Sequence, residues 1–162
     1  MKKLLLIVLT AITGLSYGNI KVVASTTVIY DLVKEIGGDK VTVDFIARGD
    51  QDPHFVEVLP SYMLKLRKAD IFFRIGMGLE MWSNQLIDGS RNSTLKVIDL
   101  STDIEKKEVP SFKTDASYGD VHPYGNPHYW LDPYNAKIMA EEIYEALSAE
   151  SDQDQGYFKK NY

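Results

Sequence analysis

Three histidines, His54, His122 and His128, are all the imidazole this chain has, and it has no cysteine. Imidazole nitrogen is a borderline donor that suits zinc and neighbouring transition metals. A metal reading therefore has to be built on these three residues. His54 stands in "DPHFVEVLPS" (Asp52 to Ser61), a loop stiffened by Pro53 and Pro60. His128 stands in "GNPHYWLDP" (Gly125 to Pro133). Asn126-Pro127 is turn-prone, and Asp132-Pro133 opens a helix, because Asp caps free backbone N–H groups and Pro fits the first helical position. His122 lies shortly before His128, near Asp120. It is a third candidate, for direct or transient metal contact, with a solvated loop residue as the alternative. Taken singly, each histidine reads as an ordinary surface or structural residue. Taken together, 54 and 128 raise the question of whether the fold brings them to one place.

The neighbouring oxygens have plainer readings. Asp50 and Asp52 flank His54. Either could orient an imidazole and fix its tautomer, but turn formation by Asp before Pro is the stronger expectation. Glu57 reads as solvated. "SDQDQG" (Ser151 to Gly156) spaces its oxygens evenly, but Gly and Glu are misplaced for a calcium loop, so it reads as a helix cap. Asn92-Ser93-Thr94 is a formal glycosylation sequon of little weight here. No phosphate-cradling glycine loop, nucleophile elbow or Ser-His-Asp spacing occurs.

The elements that must position the histidines alternate along the chain. "IKVVAS" (Ile20 to Ser25) is a buried strand by its apolar, β-branched run. Val28, Ile29, Leu32, Val33 and Ile36 recur at helical spacing, and Gly37-Gly38 ends that helix. Val41 to Ile46 is a strand, Pro60 to Lys68 a short helix, Ile71 to Ile75 a strand, Leu79 to Ile87 a helix and Leu95 to Leu100 a fourth strand. Residues 101–127 form a long polar connection of the kind that is often functional. Pro133 to Ser148 is the clearest helix, with Ala136, Met139, Ala140, Ile143, Tyr144 and Leu147 on one stripe. Strands too apolar to be half-exposed, alternating with helices, predict an α/β fold: a mainly parallel four-stranded sheet flanked by helices on both faces. Right-handed crossovers put every strand's C-terminal end at one edge, where ligands of such sheets sit. His54 follows the second strand and His128 the fourth, so both can face that edge.

Composition narrows the classes. Of 162 residues, 44 % are apolar and 25 % charged, as in a soluble domain with a real core. The opening "MKKLLLIVLTAITGLSYG" has two lysines, an apolar run and small residues at Ser16 and Gly18, so residues 1–18 read as a cleaved signal peptide rather than an anchor helix. The formal net charge is −5, and the leader contains two lysines and no acid, so the remainder is more acidic still. Nucleic acid is an improbable partner for such a chain. Without cysteine, an exported protein has no disulfide, no thiolate ligand and no lipid-attachment site at the cleavage point.

"DPHFVEVLPS", "KADIFFRIGMGLEMW" and "GNPHYWLDPYNAKIMAEEIYEAL", in that order, resemble the metal-binding solute-binding proteins of zinc and manganese ABC importers. The resemblance covers about residues 20–162, and "DVHPYGNPHYWLDP" is closer to the zinc-type members. It implies two α/β lobes joined by a long helix, with the metal between them. It assigns His54 and His128 as the ligands of the N-terminal lobe, and places further ligands on a C-terminal lobe. Glu80 and Trp82 match the family's "LExW", expected to serve packing and helix initiation. The implied organisation is a signal peptide over 1–18, an N-terminal metal-binding lobe over 19–150, and the start of the linking helix over 151–162. The C-terminal lobe is absent, as in a fragment or a truncated gene product. The expected function is a periplasmic receptor, not an enzyme, monomeric and not membrane-spanning after cleavage. It would bind a divalent ion, Zn²⁺ or alternatively Mn²⁺, and deliver it to an inner-membrane ABC permease. Two rivals stand beside it. A zinc hydrolase would need a general base, and no HExxH-type spacing supplies one. A structural or adhesive surface protein would bind no metal.

Overall fold

A computed structural model describes residues 18–112 and 122–162. The expected signal peptide, apart from Gly18, and Asp120 lie outside these residues. The elements run β1 (Ile20–Thr26), α1 (Thr27–Gly37), β2 (Val41–Ala47), α2 (Pro60–Arg67), β3 (Ile71–Arg74), α3 (Ser83–Ser90), β4 (Lys96–Asp99), α4 (Pro133–Glu150) and α5 (Gln155–Asn161). Short 3₁₀ turns occupy Gly38–Lys40, Tyr129–Leu131 and Asp152–Asp154.

The four strands pair in the order β2-β1-β3-β4, all parallel. Val22 of β1 lies between Val43 of β2 and Ile71 of β3, and Phe73 of β3 pairs with Ile98 of β4. Successive side chains of a strand point to opposite faces. In the two central strands both faces are filled. Val22, Ala24, Ile71 and Phe73 enter one core with Ile29, Val33 and Ile36 of α1, Met139, Ile143 and Leu147 of α4, and Phe158 of α5. Val23 and Phe72 enter a second core with Leu66 of α2, Leu86 of α3, Val56 and Trp82. A run with no polar side is what a sheet covered on both faces requires, and the expected α/β architecture is the observed one.

Local chemistry sets the boundaries. Gly38, at φ +52, ends α1 in a conformation open to residues without a side chain, its N–H donating to the Lys34 carbonyl. Asp132 caps α4 by accepting the Tyr134 N–H at 2.9 Å, with Pro133 at the first position. One expected element starts late: Leu79 to Trp82 are turns, and the helix begins at Ser83. Gly76, Met77 and Gly78 all have positive φ, so the chain leaves β3 through a left-handed loop before it can wind. The tail folds back on the domain: Phe158 is fully buried, and the Asn161 amide donates to the Ile36 carbonyl at 3.0 Å. The sequon asparagine is structural, its amide donating to the carbonyls of Leu66 and Ala69. No helix of the described residues is long and apolar enough to cross a membrane.

Candidate metal site

From β1 the chain crosses to β2 on one side, and from β3 to β4 on the other. The crossing direction reverses between β1 and β3, and a crevice opens there at the strands' C-terminal ends. Three loops surround it, those after β2, β3 and β4. The resulting open cleft of about 1280 Å³ is lined by His54, Gly76, Glu80, Asp99, His122 and His128, among others.

The first loop presents His54. Its backbone N–H donates to Asp52 Oδ1 at 2.9 Å, and its Nδ1 lies 2.7 Å from the same oxygen. A carboxylate only accepts, so the ring proton belongs on Nδ1 and the Nε2 lone pair faces the cleft. These two bonds, the backbone one first, hold the Asp52 carboxyl below its usual range. Asp52 thus makes the expected turn and orients the imidazole as well. Asp50 does not reach the ring and pairs with Arg48 at 3.0 Å. Glu57 is exposed, as expected. The loop is tied to the second core by the Trp82 indole N–H, which donates to the Pro53 carbonyl at 2.8 Å.

The loop after β4 presents the other two. Asn126 Oδ1 accepts the His128 N–H at 2.9 Å, and the Asn126 N–H donates to the Lys107 carbonyl at 2.9 Å. Gly125, at φ +105, passes close to that carbonyl, where a side chain would not fit. Beside His128, Tyr129 is buried and its hydroxyl donates to the Ile75 carbonyl at 2.6 Å. Burial, then the charges of Glu80 and Asp99, push that phenol up.

The three imidazoles converge. His54 Nε2 and His122 Nε2 are 3.1 Å apart, with their rings stacked at 5.0 Å between centroids. The His128 ring lies 5.3 Å from His54 and 5.0 Å from Trp130. One ring nitrogen from each histidine can be chosen so that all lie within 4.8 Å of one another. A zinc ion bound at about 2.0–2.1 Å to two nitrogens at a tetrahedral angle holds them roughly 3.4 Å apart. The 54–122 pair, at 3.1 Å, is closer than that and is within hydrogen-bond distance, with His54 Nε2 as the acceptor if its proton sits on Nδ1. Lone pairs rather than N–H groups are wanted at such a centre, and Asp52 arranges this for His54.

Glu80 and Trp82, expected to serve packing and helix initiation, do something more specific. Glu80 is only 3 % exposed. Its carboxylate accepts from the hydroxyl of Ser25 (2.6 Å) and the backbone N–H groups of Ile75 (2.7 Å) and Gly76 (3.0 Å). Burial pushes its carboxyl up, against the pull of these donors. The loop 75–82 therefore holds both histidine loops: Ile75 receives Tyr129, and Trp82 reaches Pro53. The pairing of Trp82 with Pro53 and of Tyr129 with Ile75 has no local sequence signal.

Compared with known proteins, residues 22–162 match the family model described as zinc-uptake complex component A, periplasmic. The chain is 32 % identical over 146 residues to the manganese ABC transporter substrate-binding lipoprotein PsaA of Streptococcus mitis, covering 88 % of this chain and 45 % of that protein. Its fold superposes on the Mn-bound periplasmic metal binding protein of candidatus liberibacter asiaticus with a TM-score of 0.73 at 26 % identity, covering 88 % of this chain and 50 % of the other. On the Zn(II)-bound ZnuA-like domain of Streptococcus pneumoniae AdcA the TM-score is 0.71 at 26 % identity, covering 89 % and 49 %. The chain spans about half the length of the curated relatives it matches.

Proposed function

The chain belongs to the zinc-uptake complex component A family of periplasmic proteins, and on that premise we propose that it is the metal-binding lobe of a periplasmic receptor. Its cargo is a divalent ion, zinc in the first place, which it delivers to an inner-membrane ABC permease. His54 and His128 are the ligands. The observation that carries this reading is the convergence of the two rings, 5.3 Å apart at one sheet edge from loops distant in sequence. Two imidazoles leave a zinc coordination shell with open positions. In this reading residues 19–150 form the lobe, 151–162 begin a connector, and a second lobe completes the shell. Exposed Phe55, Met81 and Tyr124 stand in the lining of the cleft, an apolar surface suited to being covered.

The relatives are named for both manganese and zinc. Nitrogen donors favour zinc, and manganese is the second reading. Hydrolysis is less well supported. A zinc-bound water needs a base at hand, but Asp52 serves His54, Glu80 is enclosed by three donors, and Asp99 accepts from Ser101 at 2.6 Å. Calorimetric titration of the purified chain with Zn²⁺ and Mn²⁺ tests the proposal. Zinc binding with one ion per chain, lost in both His54→Ala and His128→Ala, is expected. Unchanged binding in both variants refutes it.

A further inference from the structure

The strand order leaves β2 and β4 with one open side each. An open strand presents unpaired N–H and C=O groups with which another chain can pair. β4 is four residues long and begins with Lys96, held by Glu150 at 2.6 Å. β2 is longer: seven residues, "VTVDFIA", with no Gly or Pro and one charge, Asp44. Val, Thr, Phe and Ile are strand formers, and such a stretch on an open edge is a self-pairing hazard. α2 runs beside the strand across a groove of about 310 Å³, lined by Thr42, Asp44, Leu64 and Lys65 among others. One pair of side chains spans that gap. Asp44 Oδ1 accepts the backbone N–H of Phe45 at 2.8 Å. Lys65 of α2 donates from Nζ to the same oxygen at 2.9 Å and to the Phe45 carbonyl at 3.1 Å. Both main-chain groups of Phe45 are thus taken by side chains. The N–H and C=O of one strand residue point the same way, and the next residue reverses it. Phe45 therefore faces the open side, and so does Val43.

We infer that the edge of β2 is a latent interface for a second copy of this chain, and that Asp44 and Lys65 hold it shut by occupying the main chain of Phe45. The two side chains are 51 % and 32 % exposed, so as an ion pair they add little stability. Their place on the strand is what gives them a role. The partner follows from the geometry of the edge itself. In an antiparallel hydrogen-bonded pair, two opposite residues exchange both N–H···O bonds. A twofold axis at Phe45 or Val43 makes each residue its own partner, as a closed interface between identical chains requires. A second copy then supplies every donor and acceptor, and two four-stranded sheets join into one. With Lys65 on the carbonyl and Asp44 on the N–H, neither bond at Phe45 can form, and the negative charge of each Asp44 is brought towards its own copy. The inference does not rest on the metal reading.

The test is sedimentation velocity of the purified chain over a range of concentrations, for wild type, the double variant Asp44→Ala with Lys65→Ala, and Lys65→Ala alone. Far-ultraviolet circular dichroism checks that each is folded. The single variant leaves Asp44 on the strand and serves if the double variant does not fold. Hydrogen–deuterium exchange, read by mass spectrometry at low and high concentration, locates any contact. Wild type is expected to stay monomeric. The double variant is expected to shift from monomer to dimer as concentration rises, with exchange slowed over residues 41–47, and Lys65→Ala to shift in the same direction but less. Variants that stay monomeric like wild type overturn the inference. So does association that leaves exchange over 41–47 unchanged, or a wild type that already dimerises through β2.

Discussion

Asp52 Oδ1 lies 2.7 Å from Nδ1 of His54 and accepts the backbone N–H of the same residue. One carboxylate oxygen thereby sets both the fold of the loop and the tautomer of the ring. Removing such a partner typically costs 10–100-fold in metal affinity. Asp52→Ala is therefore expected to weaken zinc binding by about that factor, with Asp52→Asn in between because it keeps an acceptor for the turn. Chelator-competition titration checks this. Equal affinity in all three proteins would mean that the tautomer is set by something else.

Protons compete with metal for imidazole nitrogen, whose reference pKa is about 6.5. Zinc affinity should fall tenfold or more between about pH 7.5 and about pH 5.5. Asp52, held below its usual range, stays ionised across that window. A flat pH profile, read by calorimetry in matched buffers, would argue against histidine ligation.

The indole N–H of Trp82, in the second core, donates to the Pro53 carbonyl. Trp82→Phe keeps most of the apolar volume in the second core and removes the N–H. The expected cost is about 1 kcal/mol of stability, the worth of one hydrogen bond, together with a several-fold loss of zinc affinity as the His54 loop loosens. Urea denaturation and zinc titration measure the two effects. A stability loss with unaltered affinity would separate Trp82 from the site.

Glu142 of α4 has its carboxyl raised to about 7 by burial and by the negative charge of Asp103. The folded state thus holds this proton more tightly than the unfolded chain, where the group has its ordinary value of 4.5. Stability from this group is present below about pH 4.5 and is lost as pH rises towards 7. Glu142→Gln should raise the melting temperature by a few degrees at about pH 8, worth about 1 kcal/mol after allowance for solvent screening, and by little at about pH 5. Scanning calorimetry at the two pH values decides it. An equal shift at both would mean the charge is not the cause.

Much of this was legible in the residues, for reasons that can be named. The two-faced apolar runs of Ile20 to Thr26 and Ile71 to Arg74 require a sheet covered on both sides, and the alternation with helices makes it parallel. Chain order then carries His54 and His128 to one edge. What was not legible depends on contacts between distant segments. Leu79 to Trp82 has helical spacing, but three successive residues of positive φ and the capture of the Ile75 and Gly76 amides by Glu80 delay the helix to Ser83. Asp52 before Pro53 reads as a turn because its second role, on the imidazole, depends on ring orientation. Neither the Trp82 bond nor the Tyr129 bond leaves a mark in local periodicity.

The central claim is that one divalent ion sits between the imidazoles of His54 and His128. A crystal of the chain grown with zinc, with data collected at the zinc absorption edge, measures this directly. A single anomalous peak is expected in the cleft, about 2.0–2.1 Å from a ring nitrogen of each. A peak elsewhere on the surface, or the two rings turned away from one another with no ion between them, would contradict it.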